Sequence, residues 1–159
     1  MNYVYLSLGT NLFVRERNLK YAIKKISEFS KILEISSIYE SYPYGYEKQN
    51  TFLNMTLLIV TNLSPFLLLE NIQKVENLMN RKRLFKNSPR VIDIDILLFN
   101  ELTIKSNNLE IPHYDLYSRK FFVIPLLEII SRGYSSLNFN INKCNFKDKD
   151  LFLFARKCF

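Results

Sequence analysis

The chain has 159 residues, 48% of them apolar and 23% charged, with a mean hydropathy of −0.06. That size suits one domain, 1–159, able to bury roughly 70% of its unfolded surface without a disulfide scaffold. No apolar run approaches the ~20 residues of a membrane span, and no basic-then-apolar leader opens the chain. Cys144 and Cys158 read as free thiols of a reducing cytoplasm. The formal charge of +7 points to anionic partners, although a chain so rich in Lys, Asn, Ile, Phe and Tyr can gain Lys from codon bias alone.

Tyr3 to Gly9 alternates and carries aromatic residues, which predicts an opening strand ending at Gly9-Thr10-Asn11. Asn11 is the expected N-cap of a helix from Leu12 to about Phe29, with Leu19, Ile23 and Ile26 at helical spacing. Two strands follow, Ile32–Tyr42 and Thr51–Thr61, around an aromatic, polar loop over 43–50. Ser64-Pro65 starts a second helix that should run to about Asn80 with Leu68, Ile72, Val75 and Met79 inward. A basic loop over 81–90 leads into the most strand-like segment, Val91–Phe99, and then a short strand at Leu102–Ile104. A helix is expected around Phe121–Ile130, and the tail beyond it holds one amphipathic piece near Asp150–Arg156. The order β-α-β-β-α-β predicts an α+β, ferredoxin-like domain, an antiparallel-rich sheet in a three-layer α/β/α arrangement.

The sharpest chemical signal is Asp93 and Asp95. On a strand they share one face about 6–7 Å apart, while Ile92, Ile94, Ile96 and Leu98 share the other. Adjacent carboxylates raise each other's pKa unless something positive lies between them. A divalent cation does so, and hard cations favour oxygen donors. An open, solvated sheet face would explain a bare Asp-x-Asp equally well. The loop just upstream, however, holds Arg81, Lys82, Arg83, Lys86 and Arg90 and no acid. A metal–polyphosphate complex bridges such a loop to such a strand, with carboxylates on the metal and arginines forked onto phosphate oxygens. His113 is the sole histidine and has no second imidazole for a zinc site. Tyr44, Tyr46 and Phe52 flank Asn54, a set able to stack on a flat heteroaromatic ring and to read its edge. Three glycines exclude Walker-type and Rossmann loops. Another two-metal enzyme, such as a nucleotidyltransferase or cyclase, and an RNA-binding ferredoxin-like module remain as alternative classes.

Ser88-Pro89-Arg90-Val91-Ile92-Asp93-Ile94-Asp95-Ile96-Leu97 resembles the signature of the 6-hydroxymethyl-7,8-dihydropterin pyrophosphokinases. Leu8-Gly9-Thr10-Asn11, Ser41-Tyr42-Pro43-Tyr44-Gly45, Phe52-Leu53-Asn54, Arg81-Lys82-Arg83, Ile111-Pro112-His113-Tyr114-Asp115 and Arg119-Lys120-Phe121 extend the resemblance. It implies pyrophosphate transfer from ATP to the pterin hydroxymethyl group in folate biosynthesis, with AMP released, by a monomer that binds no nucleic acid or membrane. By resemblance, Asp93 and Asp95 hold two Mg²⁺ ions and act with Arg81 and Arg90 in catalysis. Gln73, Glu76, Arg83, Ile96, His113, Tyr114 and Arg119 fall on the ATP side. Ser41, Tyr42, Tyr44 and Asn54 line the pterin pocket, with Phe52 and Phe121 stacking on the ring. Phe52 stands where Tyr is common, Ser88 where Gly is usual, and Lys120 where a small residue is usual.

Overall fold

The computed structural model describes residues 1–81, 85, 87–134 and 139–155. Its sheet is built from β1 (Asn2–Thr10), β2 (Lys31–Ile35), β3 (Ile38–Ser41), β4 (Phe52–Thr61), β5 (Asp93–Phe99) and β8 (Leu151–Ala155), in the order β5-β1-β4-β3-β8 with β2 also on β4. Every pairing is antiparallel. This is the expected ferredoxin-like arrangement, extended by one edge strand. A separate hairpin, β6 (Ile104–Lys105) and β7 (Glu110–Ile111), follows β5.

Two cores sandwich the sheet. On one face Val4, Leu6 and Leu8 of β1 and Met55, Leu57 and Ile59 of β4 pack against α1 (Arg15–Ile26) and α2 (Pro65–Leu78). On the other, Tyr5, Leu58 and Leu98 pack against α3 (Lys120–Ile130). The layers are therefore α1 and α2, the sheet, then α3. Ser64 caps α2 by accepting from the Leu67 N–H, and Pro65 takes the first helical position as expected. No helix among the described residues is long and apolar enough to cross a membrane.

Four details depart from the sequence reading. Asn11 does not cap α1, which begins at Arg15 after Val14. Its side chain instead donates to Gln49 Oε1 and the Asn50 carbonyl and accepts from the Arg90 N–H, tying three loops together. The strand expected over 32–42 is broken at Ser36-Ser37, where Glu128 of α3 accepts from both the Ser37 N–H and hydroxyl. In β5 the register slips so that Tyr5 faces Leu98 and Leu6 faces Ile96, making Leu97 the extra residue of a bulge. The bulge turns Leu98 to the α3 face, away from Ile94 and Ile96. Finally, the tail piece near Asp150–Arg156 is no amphipathic add-on: Leu151–Ala155 pairs with β3 and forms the sheet edge.

Candidate active site

Register alone assembles the floor of a cleft. Gly9 pairs with Asp93 on one side and Asn54 on the other, and Asn54 pairs with Tyr39. One step along, Ser7 pairs with Asp95 and Thr56. Cross-strand partners point to the same side, here the α3 side. Helix α3 covers the Tyr5 and Leu58 end of that face and begins only after Arg119, so the Gly9 end stays open. A Cβ on Gly9 would lie 3.4 Å from Asn54 Oδ1, so this residue keeps the floor flat between amide and carboxylate.

Two cavities meet at the Asp93 and Asp95 edge of this floor. One, of about 270 Å³, is walled by Tyr44, Phe52, Phe121 and Phe122 with Ser41 and Asn54 below. Asn54 Nδ2 donates to Ser41 Oγ at 2.8 Å, which fixes the amide flat at the bottom. The other, of about 510 Å³, lies between α2 and the β6–β7 hairpin and is lined by Gln73, Ile96, Asn107 and Asn108. Arg81, Asp93, Asp95, His113 and Tyr114 belong to both, so the cavities meet at the carboxylate pair.

The two carboxylates are not equivalent. Asp93 receives Arg81 Nη2 at 2.5 Å and Arg90 Nη1 at 2.6 Å. Arg81 is in turn held by Glu76, which also accepts from the Ile94 N–H at 2.8 Å. Among the described residues no guanidinium is paired with Asp95. Burial and the charges of Asp93 and Glu76 push its carboxyl well above the usual range. His113 faces it, with Nε2 3.7 Å from Asp95 Oδ1. Burial and the Arg119 charge hold that imidazole down to about 4, so it is neutral at pH 7. Its Nδ1 accepts from the Asp115 N–H, which places the ring proton on Nε2, toward Asp95.

Arg119 is ion-paired with Asp115 and lies 4.6 Å over the Tyr44 ring and 5.5 Å over Phe121. Among the described residues, Arg81 Nε and Arg119 Nε are buried donors without a partner. Both belong to cleft-lining side chains, and an anion entering the cleft offers the acceptor that burial otherwise denies them.

The donor set suits Mg²⁺. This ion takes one or two carboxylates and fills its remaining positions with water and phosphate oxygens, so the pair Asp93 and Asp95 suffices without a larger cage. Among the described residues no group of three or more His, Cys, Asp and Glu forms a closed site. Asp95, disfavoured as an anion by its surroundings, is the group a cation would relieve most.

Residues 5–131 match the model of the family described as 7,8-dihydro-6-hydroxymethylpterin-pyrophosphokinase (HPPK). The chain belongs to this family. It is 48% identical over 126 residues to a 2-amino-4-hydroxy-6-hydroxymethyldihydropteridine pyrophosphokinase of Aquifex aeolicus, covering 79% of each chain. A protein of the same description from Bacillus subtilis is 43% identical over 130 residues, covering 80% of this chain and 78% of its own. Among solved structures, Plasmodium falciparum HPPK-DHPS shares the fold at 20% identity and a TM-score of 0.67. The match covers 90% of this chain but only 43% of that longer one.

Within the HPPK frame, the expected residues distribute over the two cavities as follows. Ser41, Tyr42, Tyr44, Phe52, Asn54 and Phe121 line the aromatic cavity, together with Arg90 and Arg119. Gln73, Glu76 and Ile96 line the polar one. Glu76 spends its carboxylate on Arg81 and the Ile94 N–H, so its first effect is to fix Arg81. Tyr42 is half exposed and meets Phe152 of β8 edge-on. Arg83, Lys82 and Lys86 lie outside the described residues.

Sequence reading missed Ser7 and Phe122 in the first cavity and the 106–110 turn in the second. A signal for Ser7 exists: along β1 the same-face series Tyr5, Ser7, Gly9 turns from bulky to small as the strand passes under the cleft. Also missed is a clasp between loops. Tyr46 meets Phe85 edge-on at 5.0 Å, and Gln49 Nε2 donates to the Asn87 carbonyl at 2.9 Å.

Proposed function

We propose that the chain transfers the pyrophosphoryl group of ATP to the hydroxymethyl oxygen of 6-hydroxymethyl-7,8-dihydropterin, releasing AMP. The observation that carries this reading is the junction of an aromatic, amide-floored cavity and a larger polar cavity at Asp93 and Asp95. A flat ring seated between Phe52 and Phe121 and read by Asn54 and Ser41 directs a short substituent toward that junction. A nucleotide in the second cavity, against Gln73, Ile96, His113 and Tyr114, brings its phosphates there from the opposite side.

In the reaction the pterin hydroxyl gives up its proton to solvent as its oxygen bonds to the β-phosphorus, the bond to the oxygen bridging the α-phosphate breaks, and AMP leaves with that oxygen. Charge spreads over the transferring group, and the chain's task is to hold it in line and neutralise it. Arg90 is preset for this: Nη1 lies on Asp93, Nε donates to the Ser88 carbonyl at 3.2 Å, and the guanidinium sits 5.6 Å over Phe52. It therefore spans pterin wall and carboxylate. Arg81, fixed from behind by Glu76, covers the same point from the α2 side. Neutral His113 offers an Nε2–H as a hydrogen-bond donor to phosphate oxygen. Two Mg²⁺ ions, held by Asp93 and Asp95, would add Lewis-acid charge on the phosphates. The remaining residues proposed for the nucleotide are Glu76 and Arg83, and for the pterin Tyr42, Tyr44 and Arg119; Arg119, expected on the ATP side, lines the aromatic cavity and not the polar one.

Steady-state kinetics on two variants test the assignment of the cavities. Asn54→Ala should raise KM for the pterin with little effect on KM for ATP, and Gln73→Ala should do the reverse. Both variants raising the same KM would overturn the two-cavity reading.

A further inference from the structure

The chain continues well past residue 131, where the family match ends, and this tail returns to the aromatic cavity at three points. Residues 145–148 run beside 117–120, with the Asn145 N–H donating to the Tyr117 carbonyl at 2.8 Å and the Lys147 N–H to the Ser118 carbonyl at 2.9 Å. Asp148 then accepts from the Lys120 N–H with both carboxylate oxygens, at 3.0 and 2.8 Å. Lys120 is the first residue of α3, and Arg119 before it supplies no side-chain cap. A carboxylate at a helix N-terminus satisfies an orphan donor and favours the positive end of the helix dipole. Asp148 thus caps α3 at the residue between Arg119 and Phe121, both of which wall the cavity.

The next residue, Lys149, bridges to Glu47 in the 43–50 loop at 2.8 Å. Beyond it β8 pairs with β3, setting Leu151 opposite Ser41. Within a few residues the tail therefore grips the Phe121 wall, the Tyr44 loop and the strand that carries Ser41.

We infer that Asp148 is a positioning residue for the pterin: through the Lys120 N–H it sets where Arg119 and Phe121 stand, while Lys149 sets the opposite loop. The inference rests on the reading that the aromatic cavity takes the pterin. Neither residue touches the polar cavity, so the effect belongs to one substrate alone.

The test is equilibrium titration of full-length protein with 6-hydroxymethylpterin, followed by ligand fluorescence in the presence of Mg²⁺ and a non-hydrolysable ATP analogue. The analogue's own affinity is measured in parallel. Asp148→Ala should weaken pterin binding about fivefold, the loss expected of a helix cap. Analogue affinity should stay within about twofold, since no nucleotide contact changes. Asp148→Asn, an equally good capping acceptor, should restore most of the loss. Unchanged pterin affinity in folded Asp148→Ala, or equal weakening of both ligands, would overturn the inference. Should Asp148→Ala not fold, Lys149→Glu, on an exposed side chain, decides: repulsion from Glu47 should weaken pterin about threefold, and no change would refute the role. Wild-type protein that fails to bind the pterin would overturn the underlying reading instead.

Discussion

The inequality of the two carboxylates makes a prediction that a symmetric Asp pair would not. Asp93 accepts from two guanidiniums at 2.5 and 2.6 Å, and the Arg81 side chain is only 6% exposed. Asp93→Asn removes the charge facing both. Breaking a buried pair from one side costs about 3–5 kcal/mol, but Arg81 retains Glu76 and Arg90 is a fifth exposed, so the loss should fall near 2–3 kcal/mol. At about 2–4 °C per kcal/mol for a chain of this size, Tm should drop by roughly 4–12 °C. Asp95→Asn should instead leave Tm equal to or above that of the wild type, because it removes an anion that its surroundings disfavour. The pH dependence has a definite sign. The folded protein binds the Asp95 proton more tightly than the unfolded chain, so the ionisation penalty is absent below the ordinary value of 3.8 and grows as pH rises through the raised one. The advantage of Asp95→Asn should therefore vanish near pH 4 and grow as pH rises above it. The assay is thermal unfolding in EDTA without nucleotide. Equal losses for the two variants, or a greater one for Asp95→Asn, would refute the assignment of charge partners. Both variants should nonetheless be nearly inactive.

Arg90→Ala should lower turnover by about two to three decades, as loss of a transition-state donor does, while single-turnover AMP formation and analogue titration show ATP affinity changed less than tenfold; equal small effects on both would reduce Arg90 to a diffuse charge. Gly9→Ala should fold with near-wild-type Tm, since its Cβ finds 3.4 Å of clearance from Asn54 Oδ1, yet raise pterin KM several-fold; an unchanged KM would place the pterin elsewhere. As the sole histidine, His113 gives one clean NMR titration, and its imidazole should stay neutral down to about pH 5; a midpoint near 6.5 would contradict the buried geometry. Phe85→Ala should speed proteolytic cleavage of the 43–50 loop in the ligand-free protein by removing the Tyr46 contact; unchanged cleavage would mean that the clasp holds nothing.

Local chemistry made much of this legible. The β-α-β-β-α-β order follows from periodicity and from one strong start signal, Ser64-Pro65, and the shared face of Asp93 and Asp95 follows from strand alternation. What failed has non-local causes. Ile96-Leu97-Leu98-Phe99 is apolar throughout, so no alternation marks the bulge at Leu97. Asn11 suits an N-cap or a loop tie equally, and the approach of Arg90 and Gln49 from distant segments decides between them. Leu151–Ala155 becomes a strand because β3 offers it a free edge, a fact of topology rather than of five residues. The Asp93 and Asp95 pair was visible, but its division of labour depends on where Arg81 is held by Glu76, one helix away.

The central claim is that a pterin and a nucleotide meet at Asp93 and Asp95 for transfer at the β-phosphorus. The most direct measurement is product analysis by ³¹P NMR with ATP, Mg²⁺ and 6-hydroxymethyl-7,8-dihydropterin. The account predicts AMP and a pterin diphosphate in equal amounts, neither formed when the pterin or Mg²⁺ is omitted. ADP as product, or AMP released at the same rate without the pterin, would contradict it.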